Sequence, residues 1–281
     1  MYPLVSAQQL AAHLENPDWI VFDCRHDLAA PAAGEALYRT AHIGGARFAH
    51  LDRDLSGAKT GTNGRHPLPT REAFAAFLVA AGVNRSSMLI ACDASNTLYA
   101  SRFWWLARWL GHDAVAVLDG GLPAWLAADL PMSHDLPHPL AGDFRIGDPL
   151  VSHIDTNDVE ANLLTQAKLV VDARAPERYR GEVEPLDPIA GHIPHAVNRP
   201  MAKNLEADGR FKSATELRDE FDALLAGRDP GTLVHSCGSG VTACHNLLAM
   251  EIAGLHGALL YAGSWSAWCA DPNRPVARGD R

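Results

Sequence analysis

The residues best suited to chemistry lie together in one segment, TLVHSCGSGVT, followed by ACHNLLAMEIAGL. A short apolar run ends on Cys237, two glycines follow within three residues, and a helical pattern opens near Val241 or Thr242. Gly238 and Gly240 let the backbone turn its N–H groups toward the cysteine sulfur. The positive end of the following helix points to the same place. Both effects favour a thiolate over a thiol, and the thiolate is the nucleophile. A tight turn around a buried structural thiol would use the same glycines, so the local pattern alone leaves both readings open. The other cysteines, at 24, 92, 244 and 269, read as small buried hydrophobes. No pair has the C-x-x-C spacing of a metal site, so no metal and no cofactor are expected.

The elements that must hold this loop become clear from an internal repeat. The first half reads WIVFDCRHD, AHIGGARF, MLIACD, a long helix and VAVLDGGLPAW. The second reads KLVVDARAPERY, GHIPHAVN, TLVHSCGSG, a long helix and ALLYAGSWSAW. Asp23 maps to Asp172, His42 to His192, Asp93 to Cys237 and Trp125 to Trp268, at offsets of 149, 150, 144 and 143. The runs WIVFD, MLIAC, VAVLD, KLVVD, TLVHS and ALLY are short and continuously apolar, as strands covered on both faces require. Ser6 with Gln9 and Ser213 with Glu216 read as capping boxes, and Gly82 and Gly227 as helix stops. The fold class expected is therefore α/β, in two domains, each a mostly parallel sheet flanked by helices. Prolines at 131, 137, 139 and 149 mark a linker over 131–150, between domains 1–130 and 151–281. In such sheets, ligands bind at the carboxyl ends of the strands, where the Cys237 loop lies.

Composition narrows the class. The 281 residues are 47% hydrophobic and 20% charged, typical of a folded chain. The net charge of −9, without a Lys/Arg run, argues against nucleic acid. No apolar run approaches the ~18–20 residues of a membrane span. The start, MYPLVSAQQLAAHLE, carries no basic-then-apolar leader, so a cytoplasmic location with reduced thiols is expected. Trp104, Trp105 and Trp109 at helical spacing read as packing residues.

CGSGVTAC resembles the active loop of 3-mercaptopyruvate sulfurtransferases, and the chain is similar along its whole length to that family and the related thiosulfate sulfurtransferases. The resemblance implies two tandem rhodanese-like domains, with Cys237 carrying sulfur as a persulfide. Asp93, at the cysteine position of the first repeat, cannot do so, which implies a catalytically silent N-terminal domain. The resemblance further implies a relay of Ser239 in the loop, His66 in NGRHPLP and Asp52 in HLDRD. Arg178 in APERYRG falls at the family's substrate-binding arginine, with Arg174 and Arg180 as close competitors. Gly238, Gly240, Val241 and Thr242 complete the donor-binding loop. Two positions depart from the family. Leu186 or Asp187 stands where mercaptopyruvate-using members carry a second arginine, and His195 replaces the glycine that follows GHIP.

The function expected is transfer of sulfur from 3-mercaptopyruvate to a thiol, cyanide or a thioredoxin-like protein. Thiosulfate is the alternative donor. With Gly238 and Ser239 uncharged, only loop N–H groups and Arg178 are expected to oppose the donor's charge, which favours the monoanion. A Cys-loop phosphatase needs an arginine at the loop's end, and Ala243 stands there. A non-enzymatic rhodanese-like binding module is a further alternative, but such modules often lack the cysteine that this chain keeps with its full loop.

Overall fold

A computed structural model describes residues 2–280. The chain divides into two compact units. The first runs to Gly57 and from Pro69 to Leu150, and includes Glu206–Phe211. The second holds Ala58–Leu68, Val151–Leu205 and Lys212 onward. Each sequence half thus contributes a short stretch to the other half's unit. Segment 131–150 belongs with the first unit, where Met132–Ser133 pairs antiparallel with His42–Ile43.

The repeat in the sequence is a repeat in topology. The first unit's sheet is ordered Leu4–Val5, Val115–Leu118, Met88–Cys92, Trp19–Asp23, Arg47–Phe48, with every neighbour parallel. The second unit's sheet repeats that order with Ser152–Ile154, Leu259–Tyr261, Leu233–Ser236, Leu169–Asp172 and Val197–Asn198. The middle strands, MLIAC and LVHS, are buried along their full length, because helices cover both faces. The loop carrying Cys237 therefore leaves the centre of its sheet.

Matched residues do matched work. Arg25 forks onto Asp23 and donates to the Ala41 carbonyl at 2.7 Å; Arg174 does the same to Asp172 and the Gly191 carbonyl, also at 2.7 Å. His42 and His192 are both buried, each bonded through Nδ1 to the carbonyl of a tyrosine it stacks on, Tyr38 and Tyr179. The Trp125 and Trp268 indoles donate to the carbonyls of Pro131 and Pro275. Both capping boxes are formed, and Gly82 and Gly227 take the left-handed conformation past their helices.

His195 also has a structural reading. Its φ is +65°, and its repeat partner Gly45 has φ +70°. The position demands a left-handed backbone, which glycine adopts freely and histidine adopts at a cost of about 1 kcal/mol. Trp104 and Trp105 are fully buried, as packing residues should be. Among the described residues no helix is long and apolar enough to cross a membrane.

Candidate active site

Three fixed points shape the loop after Leu233–Ser236. Ser264, at φ +52°, accepts the Cys237 N–H at 3.1 Å and donates to the Tyr261 carbonyl at 2.8 Å. The N–H groups of Trp265 and Ser266 bond the Cys237 and Gly238 carbonyls at 3.0 and 2.9 Å. Gly240, at φ +76°, lies so close to the next loop that a Cβ there would meet the Ala262 carbonyl oxygen at 2.2 Å. Gly240 is thus required twice, for its conformation and for its missing side chain.

The turn so formed closes on the sulfur. Cys237 is 1% exposed, and its Sγ accepts the Gly240 N–H at 3.1 Å. The N–H groups of Ser239, Val241 and Thr242 have no hydrogen-bond partner among the described residues. The helix expected near Val241 or Thr242 begins at Ala243 and runs to Ile252. It is buried nearly all round, and its two buried polar side chains, His245 and Asn246, both meet the Asn204 amide. That network fixes the helix end that faces the cysteine.

The first repeat provides a control for this turn. Asp93 sits at the cysteine position, and its carboxylate accepts N–H groups of Ser95, Thr97, Tyr99 and Ala100 at 2.7–3.0 Å. Burial pushes its carboxyl group up, and those four N–H groups oppose the shift. In the first repeat the turn's N–H groups close on the chain's own carboxylate, and in the second one of them, from Gly240, bonds the cysteine sulfur.

Segment Ala58–Leu68 brings a histidine to the loop. Gly64, at φ +89°, passes so close to the Ser264 turn that a Cβ would stand 2.8 Å from the Gly263 carbonyl oxygen, and the Arg65 N–H bonds the Ser266 hydroxyl at 3.0 Å. His66 follows, buried, with Nδ1 2.7 Å from Ser239 Oγ. Ser239 and His66 are therefore brought together beside Cys237. Asp52 belongs to the first unit, where its N–H bonds His50 Nδ1 at 3.1 Å and its carboxylate neighbours His26 and His50. Those three side chains lie within 4.8 Å of one another and form the one potential metal-ligand group among the described residues.

The three arginines of RAPERYRG part company. Arg174 is buried under Trp265, paired to Asp172 and Glu184, and holds the strand end. Arg180 faces outward with Glu182. Arg178 alone reaches the loop: Nη1 and Nη2 lie 3.5 and 3.6 Å from the point where a Gly238 Cβ would stand. Its Nε and Nη2 bond Glu184, and Nη2 lies 3.5 Å from Asp187.

A second guanidinium was not expected there. Arg65 Nη2 lies 2.9 Å from the same Gly238 point, while Nη1 is paired with Asp187. Besides the loop N–H groups, Arg178 is thus not the single guanidinium beside Gly238. Its neighbour in sequence, His66, drew attention for its imidazole, and nothing in NGRHPLP pairs Arg65 with a residue more than a hundred positions away. A basic residue one step before a candidate site histidine was the only available signal. Asp187 is pushed up by burial, an effect the Arg65 guanidinium opposes. The acid at the place of the expected second arginine is an anchor for an arginine from elsewhere.

The remaining thiols are ill suited to nucleophilic work. Burial pushes Cys24 and Cys92 well up, and Cys269 up to about 11. Cys244 donates to the Gly240 carbonyl at 3.4 Å from within the helix. None of the five cysteines is in a disulfide.

Known proteins share this architecture. The family model for the rhodanese-like domain matches residues 6–128 and again 155–271. A Pseudomonas aeruginosa protein named "Probable 3-mercaptopyruvate sulfurtransferase" is 49% identical, over 99% of this chain and 98% of its own. The human 3-mercaptopyruvate sulfurtransferase is 36% identical, over 98% of each chain. Among solved structures, SseA from Escherichia coli, described as a 3-mercaptopyruvate sulfotransferase with the rhodanese fold, superposes with a TM-score of 0.80. It is 31% identical and is matched over 94% of this chain and 99% of its own. The two matched domains coincide with the two copies of the sheet, the cradle and the buried His–Tyr pair, and the chain belongs to the rhodanese family, with two rhodanese-like domains in tandem.

Proposed function

We propose that the protein is a sulfurtransferase that takes sulfur from 3-mercaptopyruvate onto Cys237 and passes it to a thiol, to cyanide or to a thioredoxin-like protein. The observation that carries this reading is the pair 2.7 Å apart, His66 Nδ1 and Ser239 Oγ, beside a cysteine whose sulfur already accepts a loop N–H. The names of the relatives in Pseudomonas aeruginosa and human support the choice of donor.

In the first half-reaction the Cys237 thiolate attacks the donor's thiol sulfur. A sulfur–sulfur bond forms as the carbon–sulfur bond breaks, and its electron pair passes to the carbon as the enolate of pyruvate. That carbon then takes a proton, the donor thiol having supplied one. No external oxidant or reductant enters. The Ser239 hydroxyl, oriented by His66, donates to the carbonyl oxygen as enolate charge develops. The persulfide anion is held by N–H groups of Ser239, Gly240, Val241 and Thr242, the cradle that in the first repeat holds the Asp93 carboxylate. Arg178 orients the donor's carboxylate. The first unit is catalytically silent because its cradle holds a carboxylate. In the second half-reaction the acceptor's thiolate or cyanide attacks the outer sulfur and Cys237 leaves as thiolate. Five cysteines outside any disulfide suit a reducing compartment, the cytoplasm.

Thiosulfate is the second reading, favoured by two guanidinium groups beside Gly238, since sulfite is an anionic leaving group. Comparing kcat/KM for both donors on one preparation tests the proposal: mercaptopyruvate should win. A preference for thiosulfate would reverse the assignment, and no pyruvate release at all would remove it.

A further inference from the structure

Ser264 stands at a backbone position where a side chain is out of place. Its φ is +52°, in the left-handed region that glycine enters freely and other residues enter only under strain. The first repeat puts Gly121 there, at φ +59°, by the same offset of 143 that relates Trp125 to Trp268. The two positions do the same backbone work. In each, the N–H of the following residue bonds the carbonyl of the cradle residue, Leu122 to Asp93 at 2.8 Å and Trp265 to Cys237 at 3.0 Å. A Cβ at Gly121 would meet the Asp93 carbonyl oxygen at 2.4 Å, so the first repeat has room for glycine alone. The second repeat admits a fully buried serine, whose hydroxyl accepts the Cys237 N–H at 3.1 Å and donates to the Tyr261 carbonyl at 2.8 Å. The strained side chain is thus kept in the repeat that carries the cysteine, and glycine takes its place in the repeat that does not. Strain retained at one of two equivalent positions points to a task at that position.

We propose that Ser264 is a positioning residue for Cys237, its hydroxyl aiming the reacting sulfur. The assignment rests on the reading of Cys237 as the sulfur acceptor and adds what holds that residue in its working orientation. Ser264 Oγ grips the peptide group before the Cys237 Cα through its N–H, and the Trp265 N–H grips the peptide group after it through its carbonyl. Peptide groups are planar, so fixing both fixes φ and ψ of Cys237 and with them the direction of its Cα–Cβ bond. The sulfur, one bond further on, then meets the Gly240 N–H at 3.1 Å. A hydroxyl suits this work because it accepts from Cys237 and donates to Tyr261 at once. The clamp serves both half-reactions, since the same sulfur is nucleophile in the first and leaving group in the second.

Two variants of the full-length protein separate the hydroxyl from the backbone. Ser264→Gly removes the hydroxyl and relieves the strained φ, whereas Ser264→Ala removes the hydroxyl and keeps the strain. Both should lose about 10-fold in single-turnover loading of Cys237, with 3-mercaptopyruvate and with thiosulfate alike, and a similar factor in discharge to cyanide. The donor concentration for half-maximal loading should change by less than about twofold, since the donor is gripped by other groups. Alkylation of Cys237 by iodoacetamide, followed by mass spectrometry, should slow comparably in both variants. The melting temperatures should diverge, with Ser264→Gly within about 3 °C of the wild type and Ser264→Ala clearly lower. Loading and alkylation of Ser264→Gly at wild-type rates, or a rate loss confined to Ser264→Ala and following its lower Tm, overturns the assignment. Wild-type protein that loads from neither donor overturns instead the reading of Cys237 on which it rests.

Discussion

The imidazole of His66 stands 2.7 Å, through Nδ1, from the hydroxyl of Ser239, a residue 173 positions away in the chain. Both belong to the second unit, because the stretch Ala58–Leu68 folds with the second half of the sequence. This bond holds the Ser239 side chain in the loop that follows Cys237. Ser239→Ala should lower kcat/KM for mercaptopyruvate by about 10²- to 10³-fold, as loss of one donor to a developing oxyanion does. His66→Gln should cost a similar amount, and the double variant little more than either, since the two act as one unit. Additive losses would mean that the hydroxyl and the imidazole serve separate steps.

The glycines of the loop should separate cleanly. At Gly240 an alanine meets a backbone carbonyl at 2.2 Å with φ at +76°, and nothing there can yield. Gly240→Ala should lower stability by about 2 kcal/mol or more and abolish loading. At Gly238 the obstruction is the end of the Arg65 side chain, which can swing away. Gly238→Ala should keep the wild-type Tm while weakening use of mercaptopyruvate. Thermal melts and loading rates on both variants check this, and a large Tm loss for Gly238→Ala would contradict it.

Arg178→Ala should slow loading from an anionic donor far more than discharge of the persulfide to cyanide, because a group that grips the donor acts in one half-reaction only. Its Glu184 partner keeps Arg174 as a second cation, so the variant should fold. A wild-type loading rate would transfer the role to another cation.

The two sheets were legible from the sequence because the apolar runs are continuous and the repeat keeps four landmarks in order. The cysteine loop was legible because its glycines are local. What lay hidden was assembled at long range. Nothing in NGRHPLP announces that its arginine pairs with Asp187, and Asp187 by itself reads as a loss of positive charge. The exchange of Ala58–Leu68 and Glu206–Phe211 between the units is likewise invisible in composition, since both are polar, glycine-containing stretches of ordinary loop character. His195 could be flagged as an oddity, but only its φ of +65° explains why glycine is the natural residue there.

Stability should fall in mild acid, and one buried histidine should account for a large part of it. His235, in the strand leading to Cys237, has its pKa pushed down to about 3 by burial, with Arg199 adding to the effect. The unfolded chain takes up this proton near pH 6.5 and the folded protein only near pH 3, so the stability is present above pH 6.5 and is lost as pH falls through that window. The loss should reach on the order of 3 kcal/mol by pH 4. His235→Leu should flatten the dependence of Tm on pH between about 6.5 and 4. An unchanged slope would place the acid sensitivity in the carboxylate network instead.

The most direct test of the whole account is where the sulfur goes. Protein treated with 3-mercaptopyruvate, without acceptor, should carry one added sulfur atom on the peptide containing Cys237, found by mass spectrometry under non-reducing conditions. Cyanide should remove it as thiocyanate. Cys237→Ser should take up none and release no pyruvate, with its fold intact. Added sulfur on Cys244, or turnover by Cys237→Ser, would contradict the account.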